Sequence, residues 1–136
     1  MKATQQIPLA IPEGRRALAQ MYIDLTLAFH ASIFPPGEEP GELDADLTLV
    51  AVAVMLGHAE GHPMTRAQIA VRLHMPPTSA LTRLTTLIEH GLVQRIDDTY
   101  CLESGRAATM PNLDRFELIL SKAFATLGPL LSKSDG

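Results

Sequence analysis

The segment from Met64 to Gly91 leaves this chain the fewest choices. Thr65 and Gln68 stand three apart at the head of an apolar run, the spacing at which a hydroxyl and an amide each satisfy a free backbone N–H at a helix start. Met64 and Ile69 sit where a hydrophobic staple closes over that start. The pattern predicts a short helix to about Leu73, which His74-Met75-Pro76-Pro77 does not let continue. Pro77 suits the first turn of a second helix over residues 78–90, and Gly91 supplies its stop. Two helices joined by so short a turn are a helix-turn-helix unit.

After Gly91 the period changes from helical to alternating. Leu92 to Ile96 and Thr99 to Glu103 are β-prone runs flanking Asp97-Asp98, which reads as a hairpin ended by Gly105. Upstream, Pro12 opens a helix in which Leu18, Met21, Tyr22, Leu25, Ala28 and Phe29 recur at helical spacing to about Ser32. Residues 35–41, rich in Pro, Gly and Glu, form a linker. A further helix from about Asp44 is apolar on nearly every face between Leu47 and Leu56, which belongs to a buried element, and Gly57, Gly61 and Pro63 are expected to end it. A final helix starts near Pro111 and carries Leu113, Phe116, Leu120, Phe124, Leu127 and Leu131, more apolar surface than one packing partner covers. The first eleven residues read as a loosely held tail.

Composition narrows the class. The only cysteine is Cys101, so no intrachain disulfide forms, and the first thirty residues lack a secretory pattern, which makes a reducing cytoplasm the expected setting. The apolar run at residues 47–56 falls well short of the ~20 residues a membrane span needs. A net charge of −4 argues against a nucleic-acid partner, but the charge is unevenly spread. Residues 1–63 are acidic, whereas the basic groups of residues 64–106 are all arginines: Arg66, Arg72, Arg83, Arg95 and Arg106. Arginine is the side chain best matched to phosphates and guanine edges.

In the second helix of the pair, Ala80, Leu81, Leu84, Leu87 and Ile88 make one apolar face, and Ser79, Thr82, Arg83 and Thr86 make the other. Short hydroxyls let a helix approach base edges in a major groove, and Arg83 is long enough to reach a guanine or a phosphate. Thr78 and Ser79 add backbone N–H groups at the positive end of that helix. Thr65 and Arg66, which open the first helix, and Arg95, at the end of a strand, complete the candidate DNA contacts.

The stretch from Met64 to Arg95, with the exit Tyr100-Cys-Leu-Glu-Ser-Gly-Arg106, resembles the winged helix-turn-helix of bacterial MarR-type regulators over residues 44–106. The resemblance implies recognition positions at Thr78, Ser79, Thr82, Arg83 and Thr86, a wing at residues 95–99, and dimer-building helices on either side. The expected fold is therefore mostly α with one small β-hairpin. Its parts are a tail, dimerisation helix and linker (1–43), a winged helix-turn-helix (44–106) and a C-terminal dimerisation helix (107–136). The expected function is a sequence-specific regulator that binds double-stranded DNA as a homodimer. The resemblance further implies a small-molecule effector pocket lined by residues such as Tyr22, Phe29 and Met55, side chains that serve equally as plain core. One departure stands out: the wing is minimal and tipped by Asp97 and Asp98, whose carboxylates repel phosphates. A winged helix that binds protein rather than DNA is the alternative.

Other signals are weaker. His58 and His62 stand four apart, a spacing used for zinc, but Gly61 and Pro63 break the helical face, so no metal is expected. Cys101 alternates with Tyr100 and Leu102 and is expected to point outward, opposite Gln94 rather than a cation, so no redox-sensor role is expected. No catalytic arrangement or glycine-rich phosphate loop is apparent, so neither enzyme activity nor a cofactor is expected.

Overall fold

Asp44 begins the central element by accepting a hydrogen bond from the backbone N–H of Leu47 at 2.9 Å, as an N-cap does. The computed structural model, which describes residues 12–135 with the side chains of 12–131, orders the elements as follows. They are α1 (Pro12–Ile33), α2 (Ala45–Ala59), β1 (Met64–Thr65), α3 (Arg66–Leu73), α4 (Pro77–Glu89), β2 (Val93–Ile96), β3 (Thr99–Leu102), α5 (Ser104–Ala107) and α6 (Leu113–Asp135). The tail expected over the first eleven residues lies outside the described part. Among the described residues no helix is long and apolar enough to cross a membrane.

The capping box at Thr65 and Gln68 is present, with both reciprocal hydrogen bonds made. His74 then takes the left-handed conformation that turns the chain out of α3, and α4 starts at Pro77. Its far end is a Schellman-type stop: Gly91 adopts a positive φ, Leu92 N–H donates to the Leu87 carbonyl and Gly91 N–H to that of Ile88.

The hairpin of β2 and β3 turns at Asp97-Asp98, with Asp97 at a positive φ that aspartate tolerates. The sheet holds a third, unexpected strand. β1 pairs antiparallel with β3, so the order is β1-β3-β2 and β3 lies in the middle. The short helix α5 was also not anticipated. Contrary to expectation, α2 runs through Gly57 to Ala59. Gly57 serves a close approach instead: a Cβ there would lie 3.1 Å from the carbonyl oxygen of His62, where the chain folds back.

The chain divides into two compact units, Thr26–Leu113 being one and the described residues before and after it the other. The core of the first unit surrounds α2, whose Leu47, Val50, Ala51, Ala53 and Val54 meet Ile33, Ile69, Leu84, Leu87, Leu92 and Tyr100. In the other unit, Ala17 of α1 is buried with Ala123 and Leu127 of α6, and Met21 packs on them. These same helices leave Leu18, Ile23, Leu118 and Phe124 more than half exposed.

Candidate nucleic-acid interface

Burial determines which side of α4 is available to a partner. Ala80, Leu84 and Leu87 are fully buried, while Leu81 and Ile88, expected in the apolar face, are more than one third exposed. At about 100° per residue the outward stripe therefore centres on Thr78, Thr82 and Thr85. Thr85 was missed because counting Leu81 and Ile88 as core displaces the centre of the polar face. Ser79 and Thr86 are half-buried at the edge of the stripe.

The two flanks of α4 differ in charge. On one side Arg83 lies 3.7 Å from Asp44 and 3.8 Å from Asp46, in a depression of about 470 Å³ that Glu42 also lines. Its Nε is buried without a hydrogen-bond partner, so the acids attract the guanidinium without fully satisfying it. The other flank is basic. Leu81 lines a depression of about 420 Å³ with Thr65, Arg66, Ala67, Arg95, Asp98 and Tyr100.

Strand register explains why Arg95 reaches that depression. It pairs with Tyr100, which faces the core, so Arg95 stands on the helix side of the sheet. Its Nε donates to the Asp97 carbonyl at 2.8 Å, which holds the guanidinium against the turn. Arg66, in the first turn of α3, is exposed and lines the same depression. Thus Thr65, Arg66 and Arg95 come together beside α4, whereas Arg83 points to the acidic flank.

Hydrogen bonding sets the chemistry of this outward stripe. The hydroxyls of Thr82, Thr85 and Thr86 donate to the carbonyls of Thr78, Leu81 and Thr82, at 3.0, 2.9 and 3.2 Å. At its N-terminus α4 has Pro76 as cap with no side-chain hydrogen bond, which leaves the first-turn N–H groups without a side-chain cap. Asp97 and Asp98 are exposed at the wing tip, as expected.

Arg106 has a structural assignment. Its Nη2 donates to the carbonyls of Ser32 (2.8 Å) and Ile33 (2.9 Å) at the end of α1, and Nη1 donates to that of His90 (3.3 Å) at the end of α4. A cation at two helix C-termini meets the negative ends of both dipoles. Nothing in the sequence near Arg106 announces partners more than seventy positions away.

Cys101 does lie opposite Gln94, whose Nε2 approaches its Sγ at 3.8 Å, but the thiol is buried rather than outward. On the face of β3 away from Tyr100, the Gln94 side chain lies against this small residue and helps to cover it. His58 accepts the Leu102 N–H on Nδ1 at 3.2 Å, while His62 bonds the Glu60 carbonyl, so each ring already has a protein partner. No cluster of three or more metal-ligating side chains occurs among the described residues. Of the expected pocket residues, Tyr22 belongs to one compact unit and Phe29 and Met55 to the other. The two depressions beside α4 are lined by none of them.

A family model described as the IclR helix-turn-helix domain matches residues 52–97, from within α2 to the hairpin turn. No curated protein matches the chain, nor does any solved structure. The match supports a helix-turn-helix DNA-binding transcription regulator, a class that is in general non-enzymatic, and it does not single out the MarR type.

Proposed function

We propose that this chain is a sequence-specific transcriptional regulator that binds duplex DNA as a homodimer, with α4 in the major groove. The observation that carries the reading is the convergence of Arg66 and Arg95 beside the threonine stripe of α4, on the flank away from Asp44 and Asp46. Phosphate contacts by such arginines set the register of a protein on DNA, and a helix face of short side chains reads the bases between them. Residues 44–106 are the reading body in this proposal. Thr65, Arg66, Thr78, Thr82, Thr85 and Arg95 form its contact set, with Ser79 and Thr86 at the edge; Arg83 is held back.

The exposed apolar residues of α1 and α6 favour a second copy as partner, since large apolar side chains left exposed in such number on two helices are more than a monomer usually shows. The order of helix, helix-turn-helix, wing and long final helix favours a MarR-type arrangement of that dimer. No effector site is proposed at Tyr22, Phe29 and Met55.

Selection of bound duplexes from a random library tests the reading. A pseudo-palindrome with half-sites about one helical turn apart is expected. The exposed carboxylates of Asp97 and Asp98 favour one other reading, a winged helix that binds protein. Selection that enriches no duplex, with binding indifferent to salt, would support it.

A further inference from the structure

We propose that the middle of α4 reads bases through hydrogen-bond acceptors and methyl groups, so that the positions beneath Thr82 and Thr85 are A·T pairs or cytosines rather than guanines. The inference rests on the reading of α4 as the DNA-contacting helix and names the bases it takes.

A threonine hydroxyl carries one proton. At Thr82 and Thr85 that proton is donated back to the carbonyls of Thr78 and Leu81, so only lone pairs and the γ-methyl remain for a partner. Leu81, beside them, adds apolar surface. In the major groove adenine N6 and cytosine N4 are donors that such lone pairs accept, and the thymine C5-methyl meets apolar groups. Guanine presents only the acceptors N7 and O6 and needs a donor. Arginine is its usual partner, and Arg83 is the sole lysine or arginine of α4. Arg83 is drawn to Asp44 and Asp46, about 100° around the helix from Thr82. For a threonine to serve guanine instead, its hydroxyl must first leave its own helix carbonyl.

The test uses the full chain and the duplex it selects from a random library, remade with single-atom changes to the bases. Replacing thymines of the half-site by uracil removes the methyl and is expected to weaken binding several-fold at one or more positions. Replacing guanines by 7-deazaguanine removes N7 and is expected to change affinity less than twofold, in the wild type and in Arg66→Ala alike. Thr82→Val and Thr85→Val keep shape and methyl but remove the acceptor, and are expected to relax the preference at one position each. A tenfold loss with 7-deazaguanine that persists in Arg66→Ala, or indifference to uracil together with unchanged preference in both valine variants, overturns the inference and leaves DNA binding standing. Failure to select any duplex instead overturns the DNA-binding proposal, and this inference with it.

Discussion

Arg83 of α4 lies 3.7 Å from Asp44, the residue that caps α2, and thereby turns the one cation of that helix away from the threonine stripe. The contact is partly exposed and makes no hydrogen bond through Nε, so it adds at most about 1 kcal/mol to stability. Its consequence is electrostatic. Asp44→Asn combined with Asp46→Asn keeps an N-cap competent at residue 44 and releases Arg83. Stability should fall by less than about 1 kcal/mol, while binding to any duplex tightens and its salt dependence steepens. An unchanged salt slope would mean that Arg83 stays out of reach of DNA even when released.

Arg106 is expected to matter for the fold and not for phosphates. Its fork serves the ends of two helices, and a lysine has no second branch to reach both. Arg106→Gln should cost about 2–3 kcal/mol in chemical denaturation and Arg106→Lys less. Among folded molecules of Arg106→Lys, the slope of log affinity against log salt should match the wild type. A slope shallower by about one would instead identify Arg106 as a phosphate ligand.

The dimer proposal predicts a position-specific response. Ile23→Glu or Phe124→Glu places a carboxylate on an exposed apolar helix face, where it costs the monomer little and a dimer interface much. The wild type should sediment as a dimer at low micromolar concentration and both variants as monomers. A monomeric wild type contradicts the proposal.

His30 gives the fold a pH dependence of defined sign. It is buried, and burial lowers its pKa below 6.5 while Asp44 opposes the shift. In the window between that lowered pKa and 6.5 the unfolded chain binds more protons than the folded one. Stability conferred by neutral His30 is thus complete above 6.5 and lost as pH falls through the window. Thermal melts across this range should show the decline, and His30→Gln should flatten it. An identical decline in the variant would assign the effect to other groups.

What the sequence revealed and what it hid divide along a physical line. The box of Thr65 and Gln68, the break at Pro76-Pro77, the stop at Gly91 and the turn at Asp97-Asp98 are local, because each motif satisfies backbone groups within a few residues. The strand at Met64-Thr65 exists only because Tyr100 and Thr99 lie beside it, and two residues carry no period of their own. Arg83 and Arg106 read alike in sequence, as arginines in a basic segment. Asp44 and the carbonyl of Ser32 divert them to the protein itself, and those partners are brought near by tertiary packing. For the same reason the face of α4 was legible as polar, but its centre was not, since the exposure of Leu81 depends on neighbours from α3 and the wing.

Salt titration tests the central claim most directly, because it counts the phosphates neutralised. Selected and scrambled duplexes should be titrated at several ionic strengths with the wild type, the double variant Arg66→Ala with Arg95→Ala, and a variant in which Asp97 and Asp98 are lysines. The wild-type slope is expected to be steep. The double variant should lose about one unit of slope per arginine removed, with both duplexes weakened alike, and the lysine wing should steepen the slope and erode specificity. A wild type indifferent to salt, or a double variant with the wild-type slope, would contradict the placement of DNA against the basic flank of α4.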